Sequence, residues 1–137
     1  MALTSKSFND KGRNYPALKY FKSSEFDSPD DIGSGENMCQ AFLQKLDKAR
    51  AMAGIPFRIN SGYRTPSHNS HVGGVKNSSH MNIPCDASDI HIKDSRSRFL
   101  ILNSLMAQGF TRFGIGKSFI HVDSDTKKSQ NLVWHYY

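Results

Sequence analysis

The chain has 137 residues, 37% of them apolar and 11% aromatic, and 18 lysines and arginines against 12 acids give a net charge of +6 at pH 7. That balance is a folded domain's with one core, and it excludes disordered and low-complexity classes. No apolar run approaches a membrane span, and the opening MALTSKSFNDKGRNYP lacks the apolar region of a signal peptide, so synthesis in the cytoplasm is expected, with no membrane anchor.

Residues 1–19 read as a polar lead-in containing Gly12 and Pro16, and residues 20–137 as one domain. Tyr20, Phe21 and Phe26 are expected to dock on the core. ENMCQAFLQKLDKARAMAG predicts a helix: Met38, Phe42, Leu46 and Ala49 recur at three- and four-residue spacing, and Gly54 closes it. IPFRINSGYR predicts a strand, with Phe57 and Ile59 alternating against Arg58 and Asn60. TPSHNSHVGG predicts a short helix capped by Thr65, with Pro66 in the first position and Gly73–Gly74 at its end. A loop, VKNSSHMNIPC, leads into the strand DASDIHI. DSRSRFLILNSLMAQG predicts the second long helix, capped by Asp94 and closed by Gly109, with Phe99, Leu102, Leu105 and Met106 on one face. Three short strands follow in FTRFGIG, SFIHVDSD and LVWHYY. This order implies a single α+β domain: a small, mostly antiparallel sheet with two longer helices and a short one. Cys39 and Cys85 lack C-x-x-C spacing and read as buried thiols, with a disulfide left open.

The chemistry gathers in NSSHMNIPCDASDIHI, which places His80, Asp86, Asp89 and His91 within twelve positions. Side chains two apart on a strand share a face. Asp89 therefore goes with Ala87 and His91, and His121 with Phe119 and Asp123, while Ile90, Ile92, Ile120 and Val122 face away. If the two polar faces meet, they make a polar cleft on a packed sheet. Two histidines and a carboxylate are a usual ligand set for catalytic zinc. Asp86, on the opposite face of its strand from Asp89, is the rival carboxylate. The cations look scattered apart from Lys127–Lys128, so a basic surface suits an anionic partner such as an acidic cell wall, and nucleic acid is not the expected one.

SGYRTPSHNSHVGG, SSH, ASDI and FIHVD, in that order and followed by a terminal Trp, resemble the zinc D-Ala-D-Ala carboxypeptidases and murein endopeptidases, whose fold the hedgehog signalling domain shares. The likeness covers roughly residues 20–137, and YFKSSEFDSP is similar to the opening of the short phage and prophage members. The resemblance implies a hedgehog/DD-peptidase-like fold and a Zn2+ cofactor held by His80, Asp89 and His121. It implies that Arg64 steadies a substrate carbonyl or carboxylate, that Ser78 orients the ligand loop at the substrate, and that Gly73 and Gly74 are structural. Its substrate would be bacterial peptidoglycan, cut by a monomer that acts as a phage endolysin or prophage wall hydrolase, reaching the wall after release or carried in a phage particle. A non-catalytic wall-binding module or a virion component is the alternative.

Three departures from the family pattern stand out. His80 and Asp89 lie nine positions apart, two more than usual, with NIPCD in the turn between them. Ser118 and Phe119 stand where many relatives keep a general base. Asp123 is then the next candidate, either to orient His121 or to assist proton transfer, with His135 and His91 as further acid–base candidates. Third, His68 and His71 match no required position and read as solvent-exposed. Trp134 is expected to line the cleft or pack in the core.

Overall fold

A computed structural model of the protein describes residues 4–6 and 14–137. The described part of the expected lead-in is β1 (Thr4–Lys6) paired antiparallel with β2 (Asn14–Pro16); Gly12 and the rest of residues 7–13 lie outside the described residues, as do 1–3. The chain then forms 3-10 turns at Ser23–Phe26 and Ser34–Asn37, the helix α1 (Gln40–Ala53), β3 (Ile59–Ser61), the short helix α2 (Pro66–His71) and a third 3-10 turn at Ser79–Met81. β4 (Ala87–His91), α3 (Ser95–Ala107), β5 (Arg112–Ile115), β6 (Phe119–Asp123) and β7 (Leu132–His135) complete it.

Five strands form one sheet in the order β3-β4-β6-β5-β7, antiparallel throughout except for the parallel pair β5 and β7. Strand alternation divides it into two chemistries. Ile90, Ile120, Val122 and Phe113 share a core with Phe42, Leu43 and Leu46 of α1 and Ile101 and Leu105 of α3. The opposite face carries Asp89, His121 and Asp123. The fold is therefore α+β, with helices on one side of the sheet and polar side chains on the other.

The residues before α1 are tied to it. Asp47, buried in the helix, accepts hydrogen bonds from the backbone N–H groups of Lys19 (3.0 Å) and Tyr20 (2.9 Å), and Gln44 donates to the Pro16 carbonyl at 2.7 Å. Phe21 and Phe26 are buried and meet edge to face, while Tyr20 stays exposed under the Arg50 guanidinium. Tyr20 thus does not dock on the core: a cation on its ring face suits solvent contact.

Two helical expectations shift. α1 begins at Gln40, because Met38 is held extended in a bridge to Cys85: Cys39 N–H donates to the Cys85 carbonyl (2.7 Å) and Cys85 N–H to the Asn37 carbonyl (2.8 Å). Met38 is fully buried all the same, with Phe42, Leu46 and Ala49. α3 buries Leu105 and packs Leu102 against the core as expected, but two of the four expected residues stay outside. Phe99 is 66% exposed and Met106 47%, whereas Ser97, Ile101, Ser104 and Leu105 are buried. The buried serines explain the error. Ser104 Oγ donates to the Ile101 carbonyl of its own helix (2.9 Å), so burying it leaves no polar atom unpaired.

The long turn between the two expected ligands is absorbed at the surface. Ile83 and Pro84 are exposed and joined by a cis peptide bond, and Cys85 returns the chain to the core. Burial pushes the Cys85 thiol well above its usual range, and Cys39 and Cys85 form no disulfide.

The observed face of α3 has a direct thermodynamic signature. Leu105→Ala is expected to lower the unfolding free energy by about 2–5 kcal/mol, and Phe99→Ala to change it by less than about 0.5 kcal/mol. Urea denaturation measures both, and equal losses would mean that Phe99 packs as closely as Leu105.

Candidate metal centre

The β4–β6 ladder pairs Asp89 directly with His121 and Ala87 with Asp123. This register alone brings two of the three expected ligands together. The third comes from the turn at Ser79–Met81. Ser78 Oγ caps that turn by accepting from His80 N–H (3.2 Å), and Arg64 N–H donates to the His80 carbonyl (2.8 Å). His80, His121 and Asp89 then converge, with His80 and His121 buried.

Hydrogen bonds fix which nitrogen of each ring is free. His80 Nδ1 lies 2.6 Å from the Gly62 carbonyl, which can only accept, so Nδ1 carries the proton and Nε2 the lone pair. His121 Nε2 lies 2.7 Å from Asp123 Oδ2, so Nε2 is the donor and Nδ1 the lone pair. The two lone pairs face each other at 3.2 Å, and Asp89 Oδ1 lies 3.3 Å from the first and 2.9 Å from the second. Three electron pairs at such separations repel unless a cation or a proton sits among them. Zinc bonded tetrahedrally at about 2.0–2.1 Å requires ligand atoms about 3.3 Å apart, so the triangle fits the ion.

The electrostatics favour the same ion. Burial would raise the Asp89 carboxyl, but the adjacent His80 and His121 rings outweigh it and hold the group far below the usual carboxylate range. Burial lowers His80, against the pull of Asp89, and keeps its ring neutral. At His121 burial also lowers, but the bonds to Asp123 and Asp89 prevail and raise it, so a proton and a metal ion compete for Nδ1.

Each carboxylate is clamped by an arginine. Arg64 Nη2 donates to Asp89 Oδ2 (3.1 Å), Nε to Ser61 Oγ (3.0 Å) and Nη1 to Asn69 Oδ1 (3.1 Å). A Cβ at Gly74 would come within 2.0 Å of Asn69 Oδ1, so this support requires glycine there. Arg112 donates from Nε to Asp123 Oδ1 (2.8 Å) and from Nη1 to the Ser129 carbonyl, and its guanidinium lies 5.0 Å from the Trp134 ring centre. Asp123 is 1% exposed, with Oδ1 also accepting from Asp125 N–H (3.0 Å). Both its oxygens are therefore committed, and its geometry supports orienting His121 over exchanging protons with a substrate.

Arg64, Ser78, His80, Asp89, His121, Asp123 and Trp134 all line one cleft of about 560 Å³. One wall is aromatic: Trp134 lies 5.7 Å from His121 and 6.3 Å from Tyr136, which lies 5.2 Å from Phe119 (ring centres). The rings rest on bare backbone, since a Cβ at Gly114 would meet Tyr136 and Trp134 at 2.6–2.7 Å. His135 is not brought to the cleft. It alternates with Trp134 on β7, is exposed, and has Tyr137 as its ring neighbour. His68 and His71 sit together on α2, half-buried and exposed respectively, outside the cleft lining. Asp86 stays apart from the triangle, its Oδ1 buried without a partner, and burial raises its carboxyl. Arg112 and Asn69 escaped the sequence reading. The available signal for Arg112 was a charge inside an apolar strand, two residues before a glycine and so on the same face as it.

Arg112→Met is expected to weaken zinc binding by about 10–100-fold, read by competition with a chromogenic chelator. Unchanged affinity would show that Asp123 holds His121 without help. Asp86→Asn has the opposite character. Its raised carboxyl means the folded state holds that proton more tightly than the unfolded chain does, so wild-type stability is lost as pH rises from about 4. The variant is expected to be the more stable protein at pH 7, with the gap closing toward pH 4 in paired denaturation curves.

Comparison with known proteins places this geometry. No curated protein matches the sequence. The family model described as Peptidase M15 matches residues 19–123, from just before the expected domain boundary to the last residue of β6. All three corners of the triangle and both arginines fall inside that stretch. The chain belongs to the peptidase M15 family, the metallopeptidases like the zinc D-Ala-D-Ala carboxypeptidases, and zinc is its cofactor.

Proposed function

We propose that the protein hydrolyses peptide bonds in bacterial peptidoglycan, in stem peptides or in cross-links, as a D-Ala-D-Ala carboxypeptidase or endopeptidase. The observation that carries this reading is the triangle of free electron pairs on His80 Nε2, Asp89 Oδ1 and His121 Nδ1, opening into a cleft in a peptidase M15 chain. These three residues hold the zinc. Bound there, zinc supplies Lewis acidity toward a peptide carbonyl and a water molecule.

The remaining roles belong to the chain's own side chains. Asp123 keeps the His121 Nε2 proton in place and so keeps Nδ1 free. Arg112 holds Asp123. Arg64 fixes Asp89 through its second oxygen and presents the rest of its guanidinium at the cleft, where it steadies negative charge on the substrate. Trp134, with Phe119 and Tyr136, gives an apolar wall for the peptide, and Ser78 holds the ligand turn. The stretch YFKSSEFDSP, similar to the opening of short phage and prophage members, favours a phage endolysin or prophage wall hydrolase; such an enzyme is made in the cytoplasm and reaches the wall on release, or travels in the phage particle.

A second reading has one observation in its favour. Ser118 and Phe119 replace the usual general base, and Asp123 is fully engaged, so a zinc-holding wall-binding module is the rival. Mass spectrometry of muropeptides separates the two and names the bond. Wild type is expected to release products that disappear with a chelator and return with zinc, and His80→Ala to release none. Absence of products with any divalent metal would reject the enzyme in favour of the module.

A further inference from the structure

Cations that look scattered along the sequence gather at one end of the folded sheet. Arg58, His91 and Lys93 line a second cavity, of about 250 Å³, over an apolar floor of Ile55, Pro56 and Ile101. Arg98, in the first turn of α3, donates to the carbonyls of Gly116 (3.0 Å) and Lys117 (2.8 Å), which brings Lys117 to the same end. Arg96 is exposed on that turn. Arg58, Lys93, Arg96, Arg98 and Lys117 thus set five formal positive charges against the one of Asp94, out of a chain total of +6. Asp94 is occupied in capping Ser97 N–H at 2.7 Å. None of the five cations has an ion pair among the described residues. Asp86, Asp123 and Asp125 lie at the far end of β4 and β6.

We propose that this basic end is an anion subsite for a phosphate group of the phosphodiester polymers of bacterial walls, and that it holds the protein against its substrate. The inference rests on the peptidoglycan reading above. Guanidinium and ammonium groups around a concave site match phosphate oxygens by charge-assisted hydrogen bonds. The apolar floor accommodates the carbon chain between phosphates. A nucleic acid would meet the same charges, but duplex binding calls for a stripe of cations along a groove, whereas Arg58, His91 and Lys93 line one small cavity. The position suits a wall polymer: His91 lies two residues from Asp89, about 7 Å along β4, and its partner across the ladder, Phe119, lines the cleft.

Co-sedimentation tests this with purified sacculi that carry their phosphodiester polymer and with sacculi stripped of it by acid. The proteins are wild type, His80→Ala and the double variant Arg58→Glu with Lys93→Glu, both sites exposed. Wild type and His80→Ala are expected to bind intact walls alike, and the double variant about tenfold more weakly. Stripping should erase that difference. Hydrolysis of a small soluble stem peptide by the double variant should equal wild type. Equal binding of all three proteins to intact walls would overturn the subsite. So would wall binding indifferent to stripping, or inorganic phosphate alone binding as tightly as the wall. A duplex DNA oligonucleotide that binds more tightly than the wall, and loses binding in the double variant, would assign the site to nucleic acid and overturn the wall polymer. Retained, polymer-dependent binding with no hydrolysis by wild type would sustain the subsite while removing the peptidase reading.

Discussion

The β4–β6 register is the constraint on which the site depends. Asp89 faces His121 across the ladder because Ile90 pairs with Ile120 and both enter the core. A one-residue slip would send Asp89, His121 and Asp123 into the helices and the isoleucines into water. The burial of four or five aliphatic side chains thus sets the separation of two metal-binding atoms. Only His80 lies outside this ladder, and the backbone of Gly62, beside β3, fixes its ring.

The charges around the centre come in matched pairs. Asp89 and Arg64, and Asp123 and Arg112, each form an ion pair with little solvent access. Removing one partner from such a pair leaves the other stranded in low dielectric, so each arginine protects a carboxylate as well as orienting it. The pairs also cancel each other's charge. A dication held by His80, Asp89 and His121 would keep most of its electrophilic character, because the one carboxylate of the triangle already has a counter-charge.

Much of this was legible in the sequence, for a definite reason. Strand alternation is a short-range rule, and SDIHI and FIHVD each carry their polar and aliphatic faces in five residues. Pairing those strands correctly gives two corners of the metal triangle, Asp89 and His121. What stayed hidden depends on tertiary packing. Part of the inward face of α3 was missed because Ser104 satisfies its own hydroxyl, which hydrophobicity cannot register. Arg112 was invisible because its partner, Asp123, lies on another strand. His135 reads as a chemical group until the alternation of β7 is anchored by Trp134. The clustered cations come from just before β3, just after β4, from α3 and from the β5–β6 turn, and no run in the sequence shows them.

The family match ends at Asp123, whereas Trp134 and Tyr136 belong to the segment after it. β7 is added in parallel at the sheet's edge and contributes no metal-binding atom. The metal triangle lies wholly inside the matched stretch, whereas the aromatic wall of the cleft is divided, with Phe119 inside it and Trp134 and Tyr136 outside. Such a division makes that edge the natural place to reshape the cleft wall without touching the three residues of the triangle.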